Sequence, residues 1–174
     1  MTAIVFHDGK LIADRKQVTL VSPVQFTDGP KIFVSKDKQF AYGVSGHTLN
    51  EGTCLRLEKS LRTLIEFLIV TDKDVFKVSD ALDVPKIEGA TSTTFMTRDF
   101  QYGFIEMGSK VRRLDGRSHS IGTGGTLLVG MLRCGMSLKE AIKMTASLDP
   151  LTGVDLDIIH ANKLKPFVIG SECP

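Results

Sequence analysis

The sequence predicts an α+β domain built in layers, and three observations carry that reading. Short apolar strands come in pairs joined by turn residues. One long stretch, Leu49 to Val70, repeats its apolar residues at helical spacing. Two further helices follow one another before the last strands. Strand pairs separated by grouped helices suit an α+β arrangement better than a repeating βαβ unit. No internal repeat, low-complexity tract or linker divides the 174 residues, so a single domain over 1–174 is expected.

Thr2 to Phe6 reads as the first strand, His7-Asp8-Gly9 as its turn, and Lys10 to Ala13 as the return strand. Lys31 to Val34 and Phe40 to Val44 form a second pair around the polar turn Ser35-Lys36-Asp37-Lys38. Gly43 and Gly46 mark a tight passage into the long helix, whose apolar face is Leu49, Leu57, Leu61, Leu64, Ile65 and Leu68. Val75 to Ala90 fits no single element, because Pro85 and Gly89 break it. Thr91 to Met96 and Tyr102 to Met107 read as a hairpin, with Ser118 to Gly122 following. Gly124-Gly125 opens a helix over Thr126 to Arg133, stopped by Gly135. Ser137 with Glu140 three residues on is a capping box for a helix to about Leu148, which Asp149-Pro150 ends. The chain closes with a strand, Val154 to His160, alternating Val154, Leu156 and Ile158 against Asp155 and Asp157, and one more near Phe167 to Ile169.

Composition excludes several classes. Net charge is +2, from 22 Lys and Arg against 20 Asp and Glu, too balanced to select nucleic acid or an anionic membrane. The apolar run Leu64 to Val70 is interrupted by Glu66 and falls far short of a membrane span. The N-terminal apolar run, Ala3 to Phe6, is too short for a signal peptide. Cys54, Cys134 and Cys173 share no metal spacing and read as reduced thiols of a cytoplasmic protein. His7, His47, His119 and His160 are scattered, and no phosphate-loop motif occurs, so neither metal nor cofactor is expected.

Six short segments, in order, carry a resemblance. They are Thr2-Ala3-Ile4-Val5, Gly9-Lys10-Leu11-Ile12-Ala13-Asp14, Lys31-Ile32-Phe33-Val34, Gly43-Val44-Ser45-Gly46, Ile121-Gly122-Thr123-Gly124-Gly125 and Asp149-Pro150-Leu151-Thr152-Gly153. Together they make the whole chain resemble a proteasome β-type subunit, closest in size and layout to the HslV-type peptidase. The resemblance implies the N-terminal nucleophile (Ntn) hydrolase fold, a four-layer αββα sandwich. Three departures stand out: a shortened Thr2-to-Asp14 segment, His47 where the family's turn has a second glycine, and threonines at 123 and 152 where it has serines.

The implied chemistry is that of an N-terminal threonine peptidase. Removal of Met1 would put a free α-amine and a hydroxyl on Thr2, and such an amine, with a pKa of about 7.7–8.0, can act as base for its own hydroxyl. Lys31 would lie beside Thr2, Asp14 would hold Lys31, and the Gly46 N–H would face the oxyanion. Thr123, Asp149 and Thr152 would form the outer network, with Val44 and Thr48 flanking the cleft. Each residue also has a plain structural reading. Thr2 can be a strand residue behind an initiator methionine, Lys31 a solvated lysine, Asp14 a turn residue, Gly46 a turn glycine, and Thr123 and Asp149 local caps.

The implied partners are a peptide or unfolded-protein substrate, further copies in a ring, and a separate ATPase unfoldase, since the chain has no nucleotide motif of its own. A chain that keeps Met1 would instead be a catalytically inactive structural or protein-binding subunit. An amidase for a small molecule is a third reading, because fold alone does not fix function.

Overall fold

A computed structural model describes residues 3–19, 23–45, 51–71, 75–77, 92–99, 101–106, 110–113 and 118–170. The first hairpin pairs β1 (Ile4–His7) with β2 (Lys10–Asp14) across the two-residue turn Asp8-Gly9. Both turn residues have positive φ, 49° and 67°, as a type I′ turn requires, and Asp-Gly is a pair that tolerates it. Two strands, β3 (Lys16–Thr19) and β4 (Gln25–Asp28), follow as a separate antiparallel ribbon in a stretch where no strand is expected from sequence. β5 (Ile32–Val34) and β6 (Phe40–Ser45) then pair as expected, turning through Lys38 at φ 64°.

Helix α1 spans Glu51–Thr71. Beyond it come β7 (Val75–Lys77), the hairpin β8 (Ser92–Thr97) and β9 (Gln101–Glu106), β10 (Lys110–Arg113) and β11 (His119–Ile121). Helices α2 (Thr123–Arg133) and α3 (Leu138–Leu148) precede the final strand β12 (Leu156–His160). Gly135, at φ 84°, ends α2 by donating to Leu132 O at 3.0 Å. Ser137 caps α3, its Oγ accepting the Glu140 N–H.

β11, β1, β2 and β12 form one four-stranded sheet; β5, β6, β8, β9, β10 and β7, in that order, form a six-stranded one. Three apolar clusters say what packs on what. Ile4, Phe6, Leu11 and Ala13 of the smaller sheet meet Ile32, Ala41 and Met96 of the larger. The other face of the larger sheet, through Phe40, Tyr42, Val44 and Phe95, meets Leu57, Leu61, Leu64, Ile65 and Leu68 of α1. The other face of the smaller sheet, through Val5, meets Leu128, Val129, Ala141 and Ile142 of α2 and α3. The result is a mixed α/β fold with sheet against sheet and helices outside.

Three expectations need correction. Gly43 is inside β6, not in a turn; a Cβ there would lie 3.0 Å from Ile32 Cγ2 and 3.1 Å from Ile4 Cγ2, so its role is close sheet packing. Phe167 to Ile169 is not a strand, since Val168 N–H donates to the Gln39 side chain at 2.8 Å and Phe167 packs beside the α1 core. In β12, Ile158 is 41 % exposed because β12 is a sheet edge; Leu156 and Ile159 make the contacts instead. No described helix is long and apolar enough to cross a membrane.

Candidate functional site

Asp14 ends β2 and is fully buried. Its Oδ1 accepts from Lys31 Nζ at 2.6 Å and from the Ala3 N–H at 2.9 Å; its Oδ2 accepts from the Gly153 N–H at 2.9 Å. Three donors offset the cost of burying the carboxylate. The turn-residue reading of Asp14 therefore fails.

Lys31 directly precedes β5 and is 7 % exposed, so it is no solvated lysine. Its carbonyl accepts the Val44 N–H at 3.1 Å, which fixes the backbone at the mouth of the β5–β6 pair. Burial pushes the Lys31 ammonium below its ordinary pKa; the Asp14 and Asp149 carboxylates oppose this, while the Lys16 charge adds to it. An ammonium with a weakened hold on its proton and a fixed carboxylate partner can stabilise developing negative charge nearby.

A second group forms where α3 ends. Asp149 Oδ2 accepts from Thr152 Oγ1 at 2.9 Å and from Thr123 Oγ1, at the start of α2, at 3.2 Å; Oδ1 accepts the Leu151 N–H at 3.0 Å. Burial raises the Asp149 carboxyl pKa, but these donors outweigh it and hold the group below the usual carboxylate range. Both threonine hydroxyls thus donate to the same carboxylate oxygen. Asp149 is also the C-terminal cap residue of α3.

The two groups meet around Ala3. Gly153, next to Thr152, donates to Asp14. Gly124, in the first turn of α2, has no room for a side chain: a Cβ would overlap Thr152 Oγ1 and lie 3.1 Å from both Ala3 Cβ and Asp149 Oδ2. The Ala3 nitrogen, which joins this residue to Thr2, is the one bound to Asp14.

Of the sequence-predicted site residues, Asp14, Lys31, Thr123, Asp149 and Thr152 are brought together. Thr2 and Gly46, with His47 and Thr48, lie outside the described residues. Val44, expected beside the cleft with Thr48, has its side chain buried in the core against α1. Sequence reasoning also missed Lys16, whose Nζ donates to the Pro150 carbonyl at 2.5 Å; no motif marks it. Among the described residues, no cluster of His, Cys, Asp and Glu could hold a metal ion.

No family model and no curated protein matches the chain. Among solved structures, it is similar to eukaryotic HslV from Trypanosoma brucei, with a TM-score of 0.59 at 17 % identity, covering 91 % of this chain and 97 % of that one. The likeness extends over nearly all of both chains and shows an HslV-like fold.

Proposed function

We propose that this chain is a threonine-type peptidase subunit of a self-compartmentalised, proteasome- or HslV-like assembly, acting through Thr2 once Met1 is removed. The observation that carries the reading is the buried Asp14–Lys31 pair bound to the nitrogen of Ala3, one bond from Thr2, on an HslV-like fold. The chain is a single domain in this reading, with the helices and two sheets as a four-layer αββα sandwich of the Ntn-hydrolase type.

Thr2 Oγ attacks the scissile carbonyl carbon and gives its proton to its own α-amine. The Lys31 ammonium orients the hydroxyl and favours its deprotonated form, and the Gly46 N–H stabilises the oxyanion, a contact worth roughly 3 kcal/mol in comparable sites. The protonated amine then passes its proton to the leaving amine as the C–N bond breaks, leaving an ester on Thr2. Water, deprotonated by the freed α-amine, hydrolyses that ester and restores the hydroxyl. Thr123, Asp149 and Thr152 tune the proton transfer. The working form is a cytoplasmic ring of identical subunits, fed by a separate ATPase unfoldase.

The test combines intact-mass analysis with a fluorogenic peptide assay. We expect a chain beginning at Thr2 that cleaves the peptide, and loss of turnover to the blank level in Thr2→Ala. Complete Met1 removal with cleavage indifferent to Thr2→Ala overturns the reading. His47, standing where the family's turn has a second glycine next to the oxyanion donor, favours an inactive structural or protein-binding subunit instead. That alternative requires the native protein to retain Met1 and to resist a threonine-directed electrophile.

A further inference from the structure

Lys16 contributes to none of the roles assigned so far, yet two contacts place it against the loop that carries Asp149 and Thr152, and a third holds it to β4. Its Nζ donates to the Pro150 carbonyl at 2.5 Å. Its backbone lies so close to Gly153 that a Cβ on the glycine would sit 2.8 Å from Lys16 Cβ and 3.2 Å from Lys16 N. Its ammonium also lies 4.5 Å over the ring of Phe26 on β4, which holds the side chain against the ribbon it starts from.

Loop 149–153 is therefore gripped at two points, by the end of β2 and the start of β3. Asp14 takes the Gly153 N–H at 2.9 Å, and Lys16, two residues on, takes the Pro150 carbonyl. Thr152 lies between these points and Asp149 directly before the first, and their side-chain contact at 2.9 Å depends on where the loop sits. Arg15, between the two gripping residues, adds rigidity by binding Asp28 and Asp157 with its guanidinium, at 2.7 and 2.8 Å.

We propose that Lys16 is a positioning residue for the proposed Thr2 chemistry: its ammonium on the Pro150 carbonyl fixes loop 149–153, and with it the Asp149–Thr152 pair, against Asp14. The inference rests on the peptidase reading for its catalytic consequence but not for the clamp itself. Lys16 also acts on the site through charge, since its ammonium opposes protonation of Lys31. Removing that charge strengthens proton binding by Lys31, so the pH–rate profile moves to higher pH, an effect that mere loosening of the loop would not produce.

The experiment compares Lys16→Met and Lys16→Arg with the parent in the assembled, Met1-free protein, reading amide hydrogen exchange over 149–153 and peptide hydrolysis against pH. Lys16→Met is expected to speed exchange at Leu151 and Thr152 by roughly tenfold, in line with loss of one hydrogen bond. It should also lower kcat about tenfold with KM within about twofold, and move the profile to higher pH. Lys16→Arg, which keeps charge and donor, should recover most of all three. Unchanged exchange in Lys16→Met overturns the inference, as does faster exchange with kcat and profile unaltered. A parent protein without Thr2-dependent hydrolysis overturns the peptidase reading, and the exchange data then decide the clamp alone.

Discussion

At the scale of single residues, the Asp14–Lys31 pair is the feature with most at stake. Both partners are buried, and removing one leaves the other's charge or hydrogen-bonding groups without compensation. Asparagine at 14 would either keep its carbonyl for Lys31 and the Ala3 N–H and turn its NH₂ donor toward the Gly153 N–H, or keep it for Gly153 and turn the NH₂ toward Lys31 and Ala3, donors in both cases. Asp14→Asn is therefore expected to cost about 3–5 kcal/mol in chemical denaturation. The double variant Asp14→Asn/Lys31→Met should recover more than half of that loss, because no buried ammonium then remains. Asp149 gives the pH counterpart. Its pKa in the folded protein lies below the ordinary value of 3.8, so it adds stability that is present above that value and lost as pH falls through the lower, folded one. Thr152→Val removes a donor while keeping the shape, which lets the folded pKa rise. The variant is expected to be about 1 kcal/mol less stable than the parent at pH 7, with the gap closing as pH falls through the folded pKa, read by urea midpoints across an acid pH series.

At the scale of elements, local chemistry decided what could be read from sequence. The Asp8-Gly9 turn, the helical face of α1 and the Ser137 cap of α3 were legible because each depends on residues near one another in the chain. Ser137→Ala should accordingly cost about 1 kcal/mol in thermal or chemical unfolding, with no change at the distant Asp14–Lys31 pair. The β3–β4 ribbon was not legible: Lys16-Gln17-Val18-Thr19 and Gln25-Phe26-Thr27-Asp28 carry one large apolar residue each, and β4 is exposed throughout. What secures that ribbon is long-range, namely Arg15 on Asp157 and Lys16 on Pro150. The Phe167 to Ile169 segment misled for the converse reason. It has strand-like composition, but the Gln39 side chain takes one of its backbone donors. The site divides the same way. Asp14, Lys31, Thr123, Asp149 and Thr152 were found by resemblance to motifs, whereas Lys16 sits in no motif and shows itself only through contacts across 134 residues of chain.

At the scale of the whole molecule, the site is a junction between sheets. Asp14 belongs to the four-stranded sheet and Lys31 leads into β5 of the six-stranded one, so their 2.6 Å contact exists only while the sheets keep their spacing. Gly43 marks a point of close approach between them. It pairs with Ile32 across β5 and β6, and the space above its Cα is filled by Ile32 Cγ2 and Ile4 Cγ2. Ile32 is the neighbour of Lys31, and Ile4 the neighbour of Ala3, whose N–H is bound to Asp14. A valine at 43 would have to displace both isoleucines, and with them both halves of the ion pair. Gly43→Val is expected to cost about 1–3 kcal/mol as an overpacked core position. It should also lower activity more than Ser137→Ala does, although neither residue touches the reacting groups. Shortening a neighbour should restore room: in a double-mutant cycle, Ile32→Ala combined with Gly43→Val should lose less than the sum of the single losses, by at least about 0.5 kcal/mol. Additive losses would mean that the larger sheet absorbs the valine without moving Ile32, and that the spacing at Gly43 is not what holds Lys31 against Asp14.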